Sequence, residues 1–165
     1  MNKALLLLLS MFPAIAVHAA EPVPRADGFR VELSLENGHL ATVIFGMSPE
    51  AKVGFDREGD SPAPPPGHGT GYTAFVLPDT GMFLYRDIKP PGEAMTWTFL
   101  GRVHPDKPIR VQWDKAKLPA GYHFAIQRRE GTDPVDMRET TSLTLQETEQ
   151  LKIIATTTKR KSETP

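Results

Sequence analysis

Residues 95–113 read MTWTFLGRVHPDKPIRVQW, and their alternation decides the fold class. Met95, Trp97, Phe99 and Val103 fall on one face and Thr96, Thr98 and Arg102 on the other, the period of two that marks a half-buried strand. After the turn His104–Pro108, residues Ile109, Val111 and Trp113 repeat the pattern. Two adjacent strands carrying Trp97 and Trp113 inward are the expected centre of the core. Because the indoles share faces with Phe99 and Val111, they read as core residues in preference to exposed sugar-stacking platforms.

The same period extends upstream. Phe29 to Glu36 places Val31, Leu33 and Leu35 on one face and Glu32, Ser34 and Glu36 on the other. Asn37-Gly38 turns the chain into the apolar run His39–Met47. A three-residue loop with Gly38 left-handed would pair Leu33 with Ala41 and Val31 with Val43, and so bury Val43 and Phe45. Tyr72–Leu77 and Met82–Ile88 form a second hairpin around Pro78-Asp79-Thr80-Gly81, which Pro90-Pro91-Gly92 ends.

Downstream, Lys115–Gly121 is a connection, and Tyr122, Phe124 and Ile126 face inward on the next strand. Val135–Arg138, Ser142–Leu145 and Leu151–Ala155 read as shorter, polar-faced strands near an edge. No stretch has a period of 3.6. The pattern predicts an all-β domain over residues 29–157, an antiparallel immunoglobulin-like β-sandwich of about nine short strands. Its expected core is Phe45, Trp97, Phe99, Val111, Trp113, Tyr122 and Phe124.

Residues 1–20 combine Lys3, the apolar run Ala4–Leu9, a break at Pro13, and small residues at Ala16, Ala19 and Ala20. This is the layout of a secretory signal peptide cleaved after Ala19 or Ala20, and Pro13 and His18 interrupt it too early for a membrane span. Residues 21–28 read as a linker and 158–165 as a flexible basic tail. Removing residues 1–20 takes away Lys3 alone among the charges and leaves 18 basic against 20 acidic side chains, a net of −2. That balance argues against a nucleic-acid partner, and without a leader no membrane span is expected. The chain contains no cysteine, so an exported domain of this size has to stand on its core alone.

One stretch stands apart from the strand pattern: residues 54–72, GFDREGDSPAPPPGHGTGY. Its prolines and glycines exclude helix and interior strand, so it is expected to be an ordered surface crossover. Asp56, Glu58 and Asp60 alternate like the first ligands of a calcium loop, but Ser61 stands where an EF-hand needs glycine and Gly67 where it needs glutamate. The favoured reading is a latch in which Asp56 or Asp60 pairs with Arg86, with no metal or other cofactor.

These segments also carry a family resemblance. Phe45-Gly46, Ser48-Pro49, Ala51, Gly54-Phe55-Asp56, Asp60, Pro62–Pro66 and Arg86-Asp87-Ile88 resemble a β-sandwich module of secreted multidomain bacterial proteins, one that often precedes a type IX secretion sorting domain. Trp97, Trp113-Asp114, Leu118-Pro119, Gly121-Tyr122 and Asp136-Met137-Arg138 extend the resemblance over nearly the whole mature chain. Val53, Glu58 and Gly59 depart from the module's usual aspartate, glycine and apolar residue, and this chain ends in KRKSETP without a sorting domain. The resemblance implies an accessory domain with no assigned activity.

No nucleophile elbow, phosphate loop or cysteine nucleophile appears, and His39, His68, His104 and His123 lack metal-pair spacing and read as surface histidines. Two functional expectations remain. The first is a non-catalytic structural or interaction module of the periplasm or cell surface, docking on a protein through a sheet edge or the proline stretch. The second is a small-ligand or glycan-binding domain, for which Tyr72, Phe83 and Tyr85 are the available stacking aromatics.

Overall fold

The structure, a computed structural model, describes residues 27–65, 71–129 and 132–158. The expected leader, most of the expected linker, residues 66–70 of the proline stretch with His68, and the residues beyond Thr158 lie outside the described residues. The chain is all-β. Its strands are β1 (Phe29–Glu36), β2 (Thr42–Met47), β3 (Ser61–Pro62), β4 (Tyr72–Val76), β5 (Phe83–Lys89) and β6 (Ala94–Arg102). They continue as β7 (Ile109–Trp113), β8 (Tyr122–Gln127), β9 (Val135–Asp136), β10 (Ser142–Leu145) and β11 (Glu149–Thr157). Helical backbone among the described residues is confined to a 3-10 turn at Lys115–Lys117, capped by Asp114.

The strands join in one ladder path, β10-β7-β1-β2-β5-β4-β6-β11-β8-β9, with β3 attached to β5. The sheet curls into a half-barrel. Pairing is antiparallel except between β2 and β5, which run parallel, so the sheet is mixed where the sequence suggested antiparallel pairing throughout. Residues 48–82, with β3 and β4 among them, form the long connection that a parallel pair requires.

Two expectations for the first hairpin need correction, its register and its turn. In the first hairpin, Val31 pairs with Phe45 and Leu33 with Val43, a slip of two residues from the expected register. Side chains repeat every two residues, so the slip leaves Val43 and Phe45 in the core. The turn is longer than three residues because Leu35 N–H already bonds the Ala41 carbonyl at 2.8 Å. Asn37, not Gly38, takes the left-handed conformation at φ 65°, and its amide donates to the Pro108 carbonyl at 3.0 Å. Gly38 bridges to Gly71, and a Cβ there would lie 3.1 Å from both the Leu40 carbonyl and Thr73 Oγ1.

The tryptophan strands are not adjacent. β6 is flanked by β4 and β11, and β7 by β1 and β10, so the chain crosses the curl between them. Trp97 meets Phe45 with ring centroids 5.0 Å apart, and Phe45 also contacts Phe75 and Phe124. All seven expected core residues are buried. β11 is a nine-residue interior strand rather than an edge: Ile153 pairs with Trp97 on one side and Ile126 on the other. The two walls of the curl come close enough at Gly101 that a Cβ there would overlap Leu145 Cδ1 at 2.2 Å.

Candidate functional site: the acidic loop and the aromatic face of β5

The acids of the 54–72 stretch organise backbone. Asp56 and Asp60 are buried and reciprocal: Asp60 N–H donates to the Asp56 carbonyl at 2.6 Å, and Asp56 N–H donates to Asp60 Oδ2 at 2.8 Å. Asp60 Oδ1 accepts from Ile88 N–H at 2.8 Å, which pins the loop to β5. Asp56 accepts from Lys52 and Glu58 N–H, both at 3.2 Å, while Glu58 is exposed. Among the described residues no ion pair joins Arg86 to Asp56 or Asp60. Arg86 holds the same loop differently, donating from Nε to the Gly59 carbonyl at 2.7 Å. A carboxylate that already receives two backbone N–H groups has little need of a guanidinium, whereas a carbonyl facing Arg86 does. No group of three His, Asp or Glu side chains is gathered as a metal site among the described residues.

Within β5, Pro62 of β3 pairs with Leu84 and Ser61 with Arg86, so Tyr85 is the extra residue of a β-bulge. The bulge changes which side chains face inward. Leu84 pairs with core Phe75, while Asp87 pairs in parallel with core Phe45 and is 2% exposed. Burial pushes the Asp87 carboxyl up to about 6, against the opposing pull of Lys89, with Asp60 raising it further. Lys89 Nζ lies 3.6 Å from Asp87 Oδ2, which has no hydrogen-bond donor among the described residues. In the sequence this residue appears only within the Arg86-Asp87-Ile88 motif, and the bulge at Tyr85 hides its burial from the alternation.

The bulge also leaves Phe83 38% and Tyr85 36% exposed, the largest exposed aromatics among the described residues. Ala63 N–H bonds the Phe83 carbonyl at 2.9 Å, so exposed Pro62 and Pro64 run past this position. Tyr72 is only 3% exposed and meets Phe83 edge-on at 5.3 Å. Behind it lies His39, stacked on Tyr72 at 4.3 Å and 23°. His39 Nδ1 accepts the Thr73 N–H at 3.1 Å, so this histidine is a structural partner rather than a surface residue. Burial lowers the His39 pKa and raises that of Tyr72.

A shallow groove of about 340 Å3 runs over the outer face of β6, β11 and β8 and is lined by Gln127, Arg128, Arg129 and Lys152. Its arginines are engaged, Arg128 by Glu149 and Arg129 by Glu147.

The second set of motif residues, apart from Trp97, gathers around Arg138 and Met137. Trp113 Nε1 donates to the Met137 carbonyl at 2.8 Å, and Asp136 accepts the Arg138 N–H at 2.6 Å. Arg138 reaches the carbonyls of Leu118, Pro119 and Tyr122 at 3.3, 2.5 and 3.2 Å. His123 contacts Asp136 at 3.1 Å. Compared with known protein families, curated proteins and solved structures, the chain matches none of them.

Proposed function

We propose that this chain is an exported, non-catalytic β module that docks on a protein partner through the face built from β3, the prolines beside it, and the bulge of β5. The observation that carries this reading is the gathering of exposed Phe83 and Tyr85 beside Pro62 and Pro64. Aromatic side chains of this kind anchor interfaces because they bury a large area with few rotatable bonds. Asp56 and Asp60 meanwhile spend their oxygens on backbone N–H groups of the loop that supports this face. Kinship with the secreted immunoglobulin-like module belongs to the same proposal. It is supported by the clustering of Trp113, Leu118, Tyr122, Asp136 and Arg138, which are otherwise scattered in sequence.

Capture experiments on cell-envelope proteins test the docking reading by comparing the wild type with the Phe83→Ala/Tyr85→Ala double variant. Loss of the captured species in the double variant supports it, and unchanged capture overturns it. A glycan array run with the same pair separates the second reading, in which Phe83 and Tyr85 stack on sugar rings. Export is checked by mass spectrometry, with a new amino terminus at Ala20 or Glu21 expected and a full-length cytoplasmic product ruling it out.

A further inference from the structure

The aromatic face has a titratable backing. β4 pairs with β5 only at Phe75 and Val76, so the edge of β4 at Thr73 is left to another partner. The fully buried Thr73 satisfies its N–H on His39 Nδ1 at 3.1 Å, and the imidazole thereby stands in for a backbone carbonyl. A ring that accepts at Nδ1 is neutral and carries its proton on Nε2. That Nε2 is sealed from solvent and has no hydrogen-bond partner among the described residues, with the backbone of Pro64 close to the ring.

We propose that His39 is an acid-released clasp for the docking face: a second proton at Nδ1 confronts the Thr73 N–H, the ring leaves its seat, and the Tyr72–Phe83 packing in front of it loosens. This inference rests on the proposed docking role of that face, and it gives the face a pH dependence.

The surroundings favour release. Among the described residues no carboxylate is ion-paired with His39. Arg102 of β6 pairs in register with Tyr72 and adds positive potential to that ring. The Tyr72 hydroxyl is kept protonated by burial and brings no negative charge. On the turn that carries His39, the acid Glu36 is exposed and pairs in register with Arg110. From the described part of the proline stretch, the backbone of Pro64 is the group that meets the ring. Stacking on Tyr72 gives an imidazolium some cation–π attraction, but it cannot supply the acceptor that Thr73 loses. Burial lowers the folded pKa below the ordinary 6.5, so the clasp is fully formed above 6.5 and is lost as pH falls below it.

The test is a pH titration of the purified chain from 7.5 to 4.5 by NMR, following the His39 ring, the Thr73 amide, and the Tyr72 and Phe83 rings. The expected result is a His39 midpoint below 6.5, with the Thr73 amide and both aromatic rings shifting at that same midpoint. In His39→Asn, whose side-chain oxygen is an acceptor at every pH, those three signals are expected to stop titrating. A His39 midpoint at or above 6.5, or Phe83 signals that do not follow it, overturns the clasp. None of these signals involves a partner, so docking can fail at pH 7.5 with the titration intact, and the titration can fail with docking intact.

Discussion

Asp87 is the residue at which this fold departs furthest from what burial ordinarily allows. A carboxylate in register with Phe45 and 2% exposed receives one lysine at 3.6 Å and no hydrogen bond to Oδ2. Its folded pKa of about 6 lies above the ordinary 3.8. The folded state therefore holds this proton more tightly than the unfolded chain does. Below 3.8 the group is neutral in both states and costs nothing; from 3.8 to about 6 stability falls, and above 6 the full cost remains, roughly 3 kcal/mol. Asp87→Asn is expected to stabilise the protein by about 1–3 kcal/mol at pH 7.5 and to make no difference at pH 3.5. Denaturant unfolding of both proteins across that range checks it; parallel curves would sink the assignment. Nothing in the alternation of Leu84 to Ile88 reveals this position, because the bulge at Tyr85 exchanges the two faces halfway along the strand. Trp97 is legible by contrast, since its neighbours Thr96 and Thr98 keep the period intact over the whole of β6.

At the scale of elements, the loop before β4 is held by Asp60 more than by Arg86. Asp60 accepts two buried N–H groups, from Asp56 and from Ile88, whereas Arg86 contributes one bond to the Gly59 carbonyl. Asp60→Ala is expected to cost about 2–4 kcal/mol and Arg86→Ala about 1 kcal/mol, with protease sensitivity between Gly54 and Pro65 rising in the same order. EDTA is expected to leave wild-type protection unchanged, because the oxygens of Asp56 and Asp60 are spent on backbone N–H groups. Limited proteolysis with and without EDTA decides it, and greater sensitivity in Arg86→Ala than in Asp60→Ala would reverse the assignment. The sequence showed that the acids and Arg86 belong together, but a carboxylate–guanidinium pair is only one way to join them. The choice of Gly59 as the partner of Arg86 depends on where β3 meets β5. The first hairpin has the same logic: the faces followed from periodicity, while the register followed from Asn37 taking φ 65° and reaching Pro108, a contact 71 residues away.

For the whole molecule, the question is what keeps a curled sheet from opening. Its path ends at β10 and β9, and residues 137–141 run directly from one end to the other. Met137 is fully buried, its N–H bonded to the Phe124 carbonyl at 3.0 Å and its carbonyl to Trp113 Nε1 at 2.8 Å, so one residue ties β8 to β7. Trp113 N–H also reaches the Thr141 carbonyl at 3.0 Å, and Arg138 gathers three carbonyls of the 118–122 connection. None of this long-range closure is visible in short polar strands read singly, which is why the sequence suggested two packed sheets instead of one sheet closed across its ends. Arg138→Ala removes a charged donor from three carbonyls and is expected to cost about 2–3 kcal/mol. Trp113→Phe keeps most of the packing, leaves the Met137 carbonyl without its donor, and is expected to cost about 1–3 kcal/mol. If the strap is a separate latch, both variants accelerate amide hydrogen exchange at Met137 and Thr140 while Ile153 and Phe99, in the β6–β11 ladder, keep their protection. Equal acceleration in that ladder would instead make the strap part of a single cooperative unit with the core, and unchanged exchange at Met137 would remove it from the closure altogether.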